Sequence, residues 1–309
     1  MSICRIACVV ASCAALLSVA VGCSPSSAPA FDGERAYDIL KRQVDIGPRY
    51  PGVCGHDACR DMIVSHLKPL ADEVAVQHFA QTVAGRKLML DNIIAKFNPA
   101  AKKSILLAAH WDTRPVADME VDAAERGRPI PGANDGASGV AVLLELARVF
   151  HEKKPDVGVM MVFFDGEDYA TDRPSESTMY LGSKYFAKHL DSATKNLIAY
   201  GILLDMVGDK DLAIYQESAS VQAAPEVVKR VWDTAKALGY GGNFVPETKY
   251  GITDDHVPLI GAGVKCIDVI DFDYGPWHTL DDTPDKCSAK SLKIVGDVIS
   301  RVVYEEAGR

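Results

Sequence analysis

The run Val159-Met160-Met161-Val162-Phe163-Phe164, followed at once by Asp165-Gly166-Glu167-Asp168, constrains this chain more than any other feature. No polar residue alternates with the apolar ones, so both faces of the run must be covered. That is the signature of a strand inside a mostly parallel sheet. The run then stops at three carboxylates in four residues. Carboxylates at the end of a buried strand need a cationic partner. In open α/β sheets the ligand crevice lies beyond the carboxyl ends of the strands. Asp-Gly is also a common turn pair, so a plain solvated turn is the competing reading. The rest of the chain decides between them.

The same pattern recurs. Ser104 to Ala109 is apolar and ends at His110-Trp111-Asp112; Leu197 to Leu204 ends at Asp205; Val264 to Ile270 leads into a loop carrying Trp277-His278. Between the first of these and the opening strand comes a polar loop, Thr113 to Pro131, and then Gly132-Ala133-Asn134-Asp135-Gly136. Val140, Leu143, Leu144, Ala147 and Phe150 follow at helical spacing. Further helices are expected from about Glu34 to Gly47, His56 to Leu67, Leu181 to Leu190, Pro225 to Leu238 and Ser291 to Val303, with a short one opening at Thr253 to His256. Short strands are expected at Val74 to Phe79, Asn92 to Phe97 and Leu212 to Tyr215. Tyr169 to Met179 and Gly239 to Gly242 read as loops. The expected fold is α/β: a single domain with a twisted, mostly parallel central sheet and helices on both faces.

Residues 1–22 carry one charge, Arg5, and an apolar run from Ile6 to Val21, which reads as a secretory signal peptide. Ala20-Val21-Gly22-Cys23 resembles the bacterial lipoprotein cleavage box, in which the Cys becomes lipidated. Residues 23–31 read as a flexible tether and 32–309 as the folded domain, long enough for a full core. The expectation is an exported protein in the bacterial envelope facing the periplasm. Its membrane contact would run only through a lipid anchor on Cys23, and it would be a monomer. The formal net charge of −9 argues against nucleic acid or an anionic membrane surface as partner. Export permits disulfides. Cys54 and Cys59 flank Gly-His-Asp-Ala, a loop short enough to close, so that pair is expected within bonding reach. Cys54, His56 and Cys59 as zinc ligands are the alternative, short of a fourth ligand. Cys266, in an apolar run, reads as a small buried hydrophobe.

Five crossings of one sheet edge therefore deliver His110, Asp135, Glu167 with Asp168, Asp205, and His278. Solvated loops rarely produce such a series, and mixed histidine and carboxylate ligands suit zinc. Glu167 and Asp168 are neighbours and point differently, so one can bind metal while the other handles protons. Asp135 in Asn-Asp-Gly has a second reading, an Asx turn capping the next helix.

From about Glu34 to the C-terminus the chain resembles the zinc aminopeptidase and glutaminyl cyclase superfamily. The motifs are AHWD, GANDGASG, FFDGED, LLDMVG, DDHVP and WHT. The resemblance implies a zinc aminopeptidase-like catalytic domain over 32–309. Of the two branches, glutaminyl cyclases hold one zinc and convert an N-terminal glutaminyl residue to pyroglutamate, releasing ammonia. Aminopeptidases use two zinc ions bridged by the Asp of the GANDG-type motif. The FFDGE run, the Tyr169–Tyr180 segment before Leu181-Gly182-Ser183, and Trp277 before His278 are similar to the cyclases. Animal cyclases have Glu-Glu where this chain has Glu167-Asp168, one methylene shorter at the ligand.

The resemblance thus implies one zinc per chain, held by Asp135, Asp168 and His278. It makes Glu167 the proton carrier, with Asp205 and Asp254 sharing a proton behind it. Trp277 and Ile252 would contact the substrate, a peptide or protein N-terminus beginning with Gln. His110 and Asp205 are candidates for a second metal position, as the alternative two-zinc aminopeptidase requires. A non-enzymatic binding module on this fold is the remaining alternative, disfavoured because every ligand type is present. The resemblance also implies a cis peptide after Asp135.

Overall fold

Each of the four apolar runs becomes a strand, and the four lie side by side. The structure is a computed structural model describing residues 29–170 and 177–306. The expected signal peptide, the lipid site at Cys23 and part of the Tyr169–Met179 loop lie outside the described residues. In chain order the elements are α1 (Gly33–Asp45), α2 (Cys54–Leu67), β1 (Glu73–Val83), β2 (Arg86–Phe97), β3 (Ser104–His110), α3 (Ala137–Glu152), β4 (Gly158–Phe164), α4 (Leu181–His189), α5 (Ser192–Leu197), β5 (Ile198–Asp205), β6 (Ile214–Glu217), α6 (Ser218–Ala223), α7 (Pro225–Ala237), β7 (Phe244–Tyr250), α8 (His256–Gly261), β8 (Cys266–Ile270) and α9 (Ala289–Glu306).

The main sheet has the order β1-β2-β4-β3-β5-β8. β4, β3, β5 and β8 run parallel, and the β1–β2 hairpin joins β4 antiparallel. Successive side chains of a strand face opposite ways, so each parallel strand feeds two cores. Ile105, Leu107 and Ala109 of β3, with Met161 and Phe163 of β4, pack under α1, α3 and α9. Leu106 and Ala108, with Met160, Val162 and Phe164, pack under α4 and α8 through Phe186 and Leu259. Burying a side chain the size of Phe163 or Phe164 contributes roughly 2–3 kcal/mol. The sheet is thus mostly parallel with helices on both faces, as expected, and no described helix is long and apolar enough to cross a membrane.

Several expectations fail for identifiable reasons. β1 and β2 run well past the apolar windows that predicted them, because a hairpin with one face in water tolerates polar residues such as His78, Arg86 and Lys87. β7 carries no strand signal in the sequence: Phe-Val-Pro-Glu-Thr-Lys-Tyr is mostly exposed and pairs only with β6, in a separate two-stranded sheet. Cys54 and Cys59 are free and both lie on α2. Five residues apart on a helix, their Cα atoms are about 9 Å from each other by helix geometry, beyond disulfide reach. Phe31, placed in the tether, is 3% exposed and belongs to the core. The body therefore begins one residue earlier than the sequence suggests. Cys266 is fully buried in β8, as read.

Candidate active site

The carboxyl ends of the parallel strands bring the predicted residues together. His110 and Asp205 are the last residues of β3 and β5. Glu167 and Asp168 follow β4 on a turn in which Gly166 has φ +67°. Asp135 sits just ahead of α3, and His278 lies in the loop after β8. All six are nine-tenths or more buried. At Gly136, φ is +94° and an added Cβ would lie 2.4 Å from the Asp112 carbonyl oxygen, so only glycine fits. This glycine turns the chain out of Asp135. Among the described residues no peptide bond is cis, so the expected cis bond after Asp135 is absent. The positive φ of Gly136 redirects the chain instead.

Above this floor opens a pocket of about 460 Å³, walled by Tyr180, Met206, Ile252, Phe272 and Trp277. The two predicted substrate residues, Ile252 and Trp277, thus stand at the pocket with all the ligand candidates except His110, which lies beneath it. Tyr180, Met206 and His278 have φ of +58°, +45° and +56°. Non-glycine residues rarely adopt that region, and such strain clusters at functional sites. A larger hollow of about 760 Å³, bordered by Arg35, Arg148 and Lys293, lies elsewhere and contains none of the predicted site residues.

Two ligand triads share Asp135: Asp135 with Asp168 and His278, and Asp135 with His110 and Asp205. In the first, His278 Nε2 is 3.5 Å from Asp135 Oδ2 and 3.4 Å from Asp168 Oδ2. Ligands about 2.1 Å from a tetrahedral zinc are separated by roughly 3.4 Å, so these edges fit the ion. Asp168 Oδ2 is also buried without a hydrogen-bond partner, as a ligand atom awaiting a cation would be. In the second triad His110 Nε2 lies 3.2 Å from Oδ1 of both Asp135 and Asp205, edges of nearly the same length, and it hydrogen-bonds Asp205.

The neighbours Glu167 and Asp168 are pushed in opposite directions. Burial raises the Glu167 carboxyl well above its ordinary range, reinforced by the charges of Asp168 and Asp254, although His110 opposes this. Burial would raise Asp168 too, but His278 and Arg114 outweigh it and hold the group below its usual value. A pair separated in this way assigns its own roles: Asp168 stays anionic and Glu167 can carry a proton. Asp254 is likewise pushed well up, first by burial and then by Asp205 and Asp255. His278 rises to about 9, because Asp168 and Asp118 more than offset its burial.

Some functional neighbours escaped the sequence reading. Asp112 accepts the backbone N–H groups of Glu167 at 3.1 Å and Asp168 at 3.2 Å. Asp282 accepts those of Asn134 at 2.8 Å and Asp135 at 3.2 Å. Arg49, fully buried, donates to the carbonyls of Pro131 and Gly132 and braces the same turn. Asp112 was visible beside His110 at a strand end. Nothing local marks Asp282 or Arg49. Asp254, His256 and Asp268 form a third buried carboxylate–histidine group, of which only Asp254 was singled out.

A mostly parallel α/β body with two triads at its strand ends that could hold a metal, sharing one aspartate, is exopeptidase-like in architecture. This chain belongs to peptidase family M28, whose model matches residues 92–303. Among solved structures it is similar to Bacteroides thetaiotaomicron glutaminyl cyclase bound to N-acetylhistamine, with TM-score 0.86 and 38% identity over 90% of this chain and 99% of that one. It is also similar to a leucine aminopeptidase precursor from the same species, with TM-score 0.86 and 39% identity over 90% and 98%. The glutaminyl-peptide cyclotransferase of Drosophila melanogaster is 29% identical over 269 residues, 79% of this chain and 73% of that protein.

Proposed function

We propose that this chain is a glutaminyl-peptide cyclotransferase, closing N-terminal glutaminyl residues of peptides to pyroglutamate with release of ammonia. The observation that carries the reading is Glu167: buried, beside the Asp135–Asp168–His278 triad, at the floor of an apolar pocket. The reaction asks the α-amine to attack its own γ-amide. Folding the side chain back is an orientation problem, worth several powers of ten when a pocket enforces it. Ile252, Phe272 and Trp277 supply that wall. Glu167 accepts the proton leaving the amine and returns one to the departing ammonia. Asp254 and Asp205 stand behind it and restrain its charge. Asp135, Asp168 and His278 would hold zinc, which supplies Lewis acidity toward the γ-carbonyl oxygen.

One zinc per chain is the content that the resemblance to glutaminyl cyclases implies; His110, Asp135 and Asp205 are where a second ion would sit in the aminopeptidase alternative. The proposal includes export and a lipid anchor on Cys23, supported by the pattern of residues 1–23 alone. The test is ammonia release from glutaminyl peptides by the purified protein, run beside elemental analysis. Ammonia with about one zinc per chain supports the reading. Release of free leucine from leucyl amides with two zinc ions per chain would replace it with the aminopeptidase.

A further inference from the structure

Two side chains outside the triad close a ring around it. Arg114 lies four residues past the end of β3 and is 1% exposed. Its Nε and Nη2 donate to the two oxygens of Asp118 at 2.8 and 2.9 Å. Its Nη1 donates to Oδ1 of Asp168. Asp118 Oδ1 in turn lies 3.2 Å from Nδ1 of His278. The contacts therefore run Asp168–Arg114–Asp118–His278, and both ends are members of the same triad.

Each contact engages the ligand atom that faces away from the triad. Asp168 gives Oδ1 to Arg114, while its Oδ2 stays buried and unpartnered, 3.4 Å from His278 Nε2. His278 turns Nδ1 to a carboxylate and keeps Nε2 toward Asp135 and Asp168. Asp118 stands at ion-pair distance from Nδ1 without the alignment of a hydrogen bond; a small rotation of the ring would let Nδ1–H donate to it, which keeps the ring proton there and leaves the Nε2 lone pair free for a metal. An arginine serving only to neutralise Asp168 would be expected to grip both oxygens, its preferred geometry. Here the two-toothed grip falls on Asp118, and Asp168 is held by one oxygen. The His278 ring also stacks on Trp277, centroids 3.8 Å apart, which fixes its plane and leaves Asp118 to select the nitrogen that carries the proton.

We infer that Arg114 and Asp118 are positioning residues for zinc binding: Asp118 sets the tautomer of His278, and Arg114 confines Asp168 to binding through Oδ2. The inference rests on the zinc reading above and extends it to two residues that are not ligands of the triad. One short segment, Arg114-Pro115-Val116-Ala117-Asp118, thereby orients ligands delivered by two distant parts of the chain.

The test uses the full protein stripped of metal and titrated with zinc against a chromophoric chelator at neutral pH. Asp118→Asn keeps the shape and removes the charge. Its zinc Kd should rise about 10–100-fold, the usual cost of losing such a support; the metal-free midpoint should fall because Arg114 loses one of its two bonds to Asp118, so the titration is run well below that midpoint, where the variant is folded. Arg114→Lys keeps the charge and loses the fork. It should weaken zinc binding and, by X-ray absorption, lengthen or add to the carboxylate oxygen shell. If the parent binds zinc and both variants match it within about twofold, the inference is wrong. Asp118 is 32% exposed, so Asp118→Asn decides the matter alone if Arg114→Lys fails to fold. A parent that binds no zinc would overturn the inference together with the enzyme reading, and that result is recognised before any variant is made.

Discussion

Glu167 and Asp168 differ by one methylene and one position, yet their surroundings give them opposite proton affinities. Glu167→Gln should therefore keep zinc, since its carboxylate is not in the triad, and lose roughly 10²–10⁴-fold in turnover, the usual worth of a positioned proton carrier. The measurement is zinc content beside the rate of ammonia release; loss of zinc would mean that Glu167 and Asp168 have been assigned each other's roles. Both residues were legible in the sequence, because a carboxylate that ends a buried run has no ordinary explanation. Arg114 and Asp118 were not. They sit in a polar loop where an arginine and an aspartate four apart look like a surface pair. Only the fold brings Asp168 and His278 to them.

The elements supply the rigidity behind those side chains. β3 and β4 are adjacent and parallel, so Asp112, just past the end of β3, reaches the turn that ends β4 and takes both of its N–H groups. Asp112→Ala would leave two buried donors unpaired, at about 1–3 kcal/mol each. The thermal midpoint of the metal-free protein should fall by several degrees, and the turn carrying Glu167 should loosen, seen as faster amide exchange at Glu167 and Asp168. An unchanged midpoint would mean that water satisfies those groups equally well. Elements buried on both faces, β3, β4, β5 and β8, were readable because their composition has no other use. β7 was not, since its partner is a lone short strand and most of its side chains meet water. The Cys54–Cys59 expectation failed for an elemental reason too. The spacing suits a loop, but α2 starts at Cys54 and separates the two thiols.

For the molecule as a whole, a metal held by the buried carboxylates at the sheet edge would couple folding to its binding. A ligand bound only by the native state stabilises it by RT ln(1 + [L]/Kd), about 2.7 kcal/mol at a hundredfold excess over Kd. Chelating the metal should lower the thermal midpoint, and returning zinc should restore it; a midpoint indifferent to both would argue that the triad holds no ion. The sheet order, with the antiparallel hairpin at one edge, was only partly legible. Periodicity locates strands but does not say which of them are neighbours.

Phe31 fills a hollow in α9: a Cβ on Gly296 would lie 2.4 Å from its ring. The consequence concerns trimming. An exopeptidase working inward from the N-terminus meets a barrier at Phe31, because removing that ring opens a void beside the last helix. The smallest durable form of the enzyme should therefore begin at Phe31, and ragged ends found on the isolated protein should cluster just ahead of it.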